Sequence, residues 1–153
     1  MVLTAEFITF LLAPIGYLGL MVATVLAAKG RRTIAFRRVV AAVIVTHVIL
    51  VWTVRYEWQF SEATRNGYAG FVLFHAALLA IVASVFARNE LARRFLIAAF
   101  GIVTVGALGA VFTYDEVRSY RIPVMAIAVA GLTGLVQAYV TRSHRSAMTI
   151  NRQ

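Results

Sequence analysis

Two histidines, His47 and His75, stand in the middle of long apolar runs, and no other residues of the chain are so well equipped for chemistry. Neutral imidazole offers one donor and one acceptor, titrates near neutrality and binds transition metals through a bare nitrogen. Ionisable side chains inside hydrocarbon mark functional sites, because leaving them unpaired there is expensive. His47 lies eight residues past Val39 and His75 six past Ala69, about 12 Å and about 9 Å from opposite boundaries at ~1.5 Å per helical residue. Two such rings on neighbouring helices suit axial ligation of a haem iron, with His47 and His75 as the metal ligands and a porphyrin between Val43, Ile44, Leu50, Val51, Phe71, Val72, Leu78 and Leu79. Arg55 and Arg65, near the rim, are placed to pair with propionates. Haem b is the cofactor this arrangement implies.

The same histidines have other uses. Each can donate to a backbone carbonyl or to a threonine hydroxyl on a neighbouring helix, with Thr46 and Thr104 as candidate partners. One can hold the metal of a chlorin, or the pair can contribute to a quinone pocket. Copper and zinc fit less well, since two nitrogens are available and no carboxylate or thiolate stands nearby in sequence. The chain has no Cys, which removes disulfides, iron–sulfur clusters and thiol nucleophiles. There is no Gly-rich phosphate loop, no Gly-x-Ser-x-Gly, no His-Glu-x-x-His, and no Asp or Glu inside an apolar run. Proton-coupled carriers usually need such carboxylates, and a voltage sensor would need an arginine ladder that is absent.

The elements that position the histidines follow from hydropathy. Of 153 residues, 61% are hydrophobic and 14% charged, with a mean hydropathy of +0.83. Soluble domains carry about 25% charge, so a soluble fold is excluded. Five runs of bilayer-spanning length predict an all-α bundle of five transmembrane helices in a single membrane domain covering 1–153, with spans at about 7–28, 39–55, 69–87, 95–113 and 122–140. The first span is expected to be retained rather than cleaved, as no basic segment precedes it and Lys29 to Arg32 follow it. Pro14 predicts a bend near its start, and Pro123 falls in a first helical turn.

Basic residues set the orientation. Lys29, Arg31, Arg32, Arg37, Arg38, Arg88, Arg93, Arg94, Arg142, Arg145 and Arg152 collect on one side with the single acid Glu90. Arg55, Arg65, Arg118 and Arg121 collect on the other with Glu6, Glu57, Glu62, Asp115 and Glu116. The N-terminus is therefore expected outside and the C-terminus in the cytoplasm. The net charge of +9 thus reflects orientation in a bilayer, and nucleic acid is not an expected partner. Alanine, valine and arginine usage without an organelle-type presequence points to a prokaryotic plasma membrane. Trp52, Tyr56, Trp58, Phe60 and Tyr68 form an aromatic anchor around the longest loop, which is amphipathic enough for a short interfacial helix before the Asn66-Gly67 turn.

Small residues four apart let helices approach in lipid. They recur as Gly19, Ala23 and Ala27; Ala76, Ala80 and Ser84; Ala98, Gly106 and Ala110; and, most regularly, Ala126, Ala130, Gly134 and Ala138. These stripes and the loop around Trp58 support a first functional reading: a non-enzymatic accessory, assembly or anchoring subunit that meets other membrane subunits or a second copy of itself. The alternative is a b-type haem protein taking electrons from a quinol-like donor. Five short-looped spans with a histidine in each of two adjacent helices are similar in outline to small b-type cytochrome membrane subunits. A third reading is a small-molecule or ion pathway shared with other chains.

Overall fold

A computed structural model describes residues 4–65 and 67–150, with side chains up to 144. Asn66 and Arg152, and the side chain of Arg145, which entered the turn and charge assignments above, lie outside the described residues. The described residues are all-helical, and five of the helices are long and apolar enough to cross a membrane.

Helix α1 spans Ala5–Ala28, opened by Thr4, whose hydroxyl accepts from the Phe7 N–H at 3.3 Å. It runs through Pro14 without interruption and stops at Gly30, whose φ of +77° an L side chain rarely adopts. There the Gly30 N–H reaches the Ala27 carbonyl and the Arg31 N–H reaches Leu26, both at 3.0 Å, which satisfies carbonyls left open by the last turn. Helix α2 covers Ile34–Val54, the short α3 Phe60–Thr64, α4 Tyr68–Phe86 and α5 Asn89–Thr113. A 3₁₀ turn at Asp115–Tyr120 leads into α6, Arg121–Ile150. The expected short helix in the longest loop is thus α3. Two left-handed residues precede it, Glu57 (φ 48°) and Trp58 (φ 59°), a conformation unfavourable for L residues. Their turn folds Trp58 back onto Trp52, with ring centroids 5.7 Å apart.

Three helices outrun their apolar segments: α2 and α5 start upstream, at Ile34 and Asn89, and α6 continues past Val140. Hydropathy marks the hydrocarbon slab, whereas arginine is a good helix former and extends a helix beyond it.

Helices α1 and α5 form the centre. Helix α1 packs on α2, α5 and α6; α5 packs on α1, α4 and α6; contacts between α2 and α4 close a four-helix ring. Helix α6 lies against α1 and α5. The core runs along this axis through Leu20, Ala23, Leu96, Ala99 and Phe100, all at most 1% exposed. Glycines supply the close approaches. A Cβ on Gly16 would meet Ile44 at 2.9 Å, one on Gly106 would meet Phe74 at 2.9 Å, and one on Gly134 would meet Val25 at 2.8 Å. A Cβ on Gly131 would collide with the Phe100 ring.

The four-residue stripe on α6 does not form a single surface. Gly134 and Ala138 are buried within the bundle, while Ala126 and Ala130 are exposed. Each step of four turns a helix by about 400°, so three steps drift by about 120° and carry the stripe round to another face.

Candidate functional site

Between α1, α2, α4 and α5, and closed at one end by the 3₁₀ turn and the start of α6, lies a cavity of about 280 Å³. Its wall is apolar, with Leu20, Ile44, Phe74, Ile81 and Val103 among the side chains, and three of its lining residues carry polar side chains: Tyr17, His47 and Tyr120. Such a wall with a few placed polar groups is the usual character of a small-molecule site.

The polar geometry starts at Pro14. Proline has no N–H, so the carbonyl four residues earlier, that of Phe10, loses its helical donor. The Tyr120 hydroxyl donates to that carbonyl at 3.4 Å. One residue upstream, the Thr9 carbonyl lies 3.0 Å from Nδ1 of His47. A carbonyl only accepts, so Nδ1 carries the proton, and Nε2 of the neutral ring is left as an acceptor with no hydrogen-bond partner among the described residues. Tyr17 completes the set. Its hydroxyl is 2.8 Å from Oγ1 of Thr104, whose own proton goes to the Phe100 carbonyl at 2.6 Å, so Tyr17 donates and Thr104 accepts. The ring of Tyr17 also stacks on Phe100, centroids 5.8 Å apart. Every hydroxyl or ring N–H in the wall is therefore committed within the bundle. What remains for a guest is acceptor capacity, chiefly Nε2 of His47.

His75 stands apart from this cavity. Its Nδ1 donates to the Phe71 carbonyl of its own helix at 2.7 Å, its ring stacks on Phe71 at 4.0 Å between centroids, and Trp52 meets it edge-on at 6.1 Å. It belongs to an aromatic cluster with Phe60 and Trp58 around Trp52 and Phe71. The two histidines thus serve two separate surroundings, and no group of three His, Cys, Asp or Glu able to hold a metal ion occurs among the described residues.

The two arginines expected beside propionates have carboxylates of their own. Arg55 pairs with Glu6 at 3.4 Å, tying the end of α2 to the start of α1, and lies over the Phe10 ring; Arg65 pairs with Glu62 at 3.5 Å. Neither expected threonine partners a histidine: Thr46 is exposed, and Thr104 serves Tyr17. Trp58 is 64% exposed, and its contact is with Trp52.

Sequence reasoning did not find Tyr17 and Tyr120. Tyr120, beside a span start, reads as an interfacial anchor, whereas Tyr17 stands in the middle of the first span. For Tyr120 the available signal was Pro14, because an intramembrane proline obliges some other group to satisfy the carbonyl it frees, and for Tyr17 it was a phenolic hydroxyl at mid-span, which needs a partner. Comparison with protein-family models, with curated proteins and with solved structures finds no match for this chain.

Proposed function

We propose that this protein is a membrane-embedded binding subunit for a lipid-soluble molecule with a hydroxyl head, of the quinol class, seated in the cavity lined by His47. The supporting observation is the mismatch in hydrogen-bond capacity. The wall holds an unused acceptor and no unused donor, so its complement is an apolar body bearing an O–H. A hydroxyl donating to Nε2 of His47 is held on the ring that the Thr9 carbonyl orients, and the flanking Leu, Ile, Val and Phe side chains take the rest. In this reading the basic loops face the cytoplasm of a prokaryotic plasma membrane, with the cavity in the outer half of the bilayer.

The test compares a short-chain prenylated benzoquinol with its dimethyl ether, by equilibrium dialysis against the whole protein in mild detergent under anaerobic conditions. The ether keeps the ring and the tail and lacks the donors. The quinol is expected to bind about tenfold more tightly, since a lost hydrogen bond with an unpaired buried partner costs on the order of 1–2 kcal/mol. His47→Leu removes that preference. Equal binding of the two compounds to the native protein overturns the reading.

A second reading has an observation of its own. On α5, Gly101 and Gly109 are exposed, and a Cβ on either would meet nothing within 4 Å. Glycine in a helix costs about 1 kcal/mol against alanine, and no close approach within this bundle uses these two. Contact with a further helix, from a partner subunit or a second copy, gives them a use. Single cysteines at Gly101 and Gly109 are expected to cross-link in native membranes. Reaction with lipid-soluble maleimide alone, with no cross-linked species, removes this reading.

A further inference from the structure

At the opposite end of the bundle, where α1 turns into α2 and α4 into α5, lies a second cavity of about 640 Å³. Its charged wall consists of six arginines, Arg31, Arg32, Arg37, Arg88, Arg93 and Arg142, and one carboxylate, Glu90. Glu90 is engaged by its neighbours: it takes two bonds from Arg93, one of them at 2.8 Å, and one from Arg94 at 3.2 Å. No described carboxylate pairs with Arg31, Arg32, Arg37 or Arg88.

Arg37 is held in place. Its Nη1 donates to the Ser84 carbonyl near the end of α4 at 2.8 Å, and its Nε is a buried donor without a partner among the described residues. Arg142 reaches in from α6, with its Nη2 3.3 Å from where a Cβ on Gly30 would stand, so the glycine makes room for the guanidinium. Two helix starts open on the same space, α2 at Thr33-Ile34 and α5 at Arg88-Asn89-Glu90. Neither Thr33 nor Arg88 caps its helix with a side-chain hydrogen bond. Guanidiniums gathered from three places in the chain, an orphaned buried N–H and two uncapped helix starts all call for the same complement, a compact multivalent oxyanion.

We propose that this cavity binds a phosphate monoester. Guanidinium forks match phosphate oxygens in pairs, and the dianionic form of a monoester uses more of the positive charge than a diester does. That group can arrive on a membrane lipid or on a soluble molecule, and the cavity's chemistry is the same for both.

The experiment uses the whole protein in neutral detergent and native mass spectrometry, titrating phosphatidic acid, glycerol 3-phosphate, and phosphatidylcholine as the zwitterionic control. Phosphatidic acid bound in preference to phosphatidylcholine, with glycerol 3-phosphate ineffective at millimolar concentration, supports the site with a lipid as source. Binding of glycerol 3-phosphate at or below millimolar concentration supports it with a soluble source. In either case Arg37→Gln is expected to weaken binding by about tenfold or more, as charge-assisted bonds do, and Arg118→Gln at the other end of the bundle to leave it unchanged. Arg88→Gln keeps the test decisive if Arg37→Gln does not fold, because the Arg88 side chain makes no bond among the described residues. Equal binding of phosphatidic acid and phosphatidylcholine, or variants at Arg37 and Arg88 that bind like the native protein, overturns the proposal.

Discussion

At the scale of single residues, the histidines divide by what surrounds them. His47 faces a cavity and takes its partner from another helix, while His75 is tied to its own helix and to aromatic rings. Replacing His75 by Phe keeps an aromatic ring beside Phe71 and Trp52, so quinol binding is expected to stay within about twofold of native while His47→Leu loses the preference for the hydroxyl; dialysis of both variants measures this. Two interacting histidines would instead fail together. Tyr17 and Thr104 give a second residue-scale prediction. In a double-mutant cycle of Tyr17→Phe and Thr104→Val, followed by thermal unfolding in detergent, their coupling is expected at roughly 0.6–1.7 kcal/mol, the range found for interhelical bonds in lipid. A value of zero would mean that the 2.8 Å contact does not contribute. At this scale the sequence was only half legible. That His47 and His75 are polar exceptions in apolar runs could be read directly. Which carbonyl each would find could not, because Thr9 lies 38 residues from His47 and its availability depends on how α1 and α2 are rotated against one another.

Among the helices, the same property that makes spans readable makes their faces unreadable. Runs such as Phe7 to Ala28 are apolar all round, so the usual contrast between a buried stripe and a polar one is missing. Small residues were the remaining guide, and on α6 they mixed a buried pair with an exposed one. Packing distances now separate them. Gly131→Ala drives a methyl into Phe100, which is 1% exposed, and toward Met21 at 2.8 Å. Overpacking of this kind costs about 1–3 kcal/mol. Gly101→Ala adds a methyl in open space, and its better helix propensity is expected to raise stability by about 0.5–1 kcal/mol. Unfolding midpoints of the two variants should therefore move in opposite directions; if both fall, Gly101 has a packing role that the isolated chain does not reveal.

For the molecule as a whole, charge asymmetry was legible because it depends only on which loops lie at which end. Orientation has a direct test, made simple by the absence of native Cys. Ser61→Cys on α3 and Ser143→Cys near the end of α6 are both on exposed positions at opposite ends. With basic loops inside, a membrane-impermeant maleimide should label the first in intact cells and the second only after permeabilisation. The opposite pattern would invert the bundle and place the arginine cavity outside.

The bond between Tyr17 and Thr104 joins residues 87 apart in sequence, and this separation has a meaning for biogenesis. At ~5–20 residues per second of synthesis, α1 waits about 4 to 17 s before the helix that completes its polar pairing has been made. During that interval the Tyr17 hydroxyl has α2 beside its helix but not the Thr104 oxygen it donates to, whereas Thr24 already donates to the Leu20 carbonyl of its own helix at 2.7 Å. The Tyr17 hydroxyl thus stays without its native acceptor until α5 is made, so an insertase or holding factor that serves this chain has one polar group on α1 to shelter over that interval.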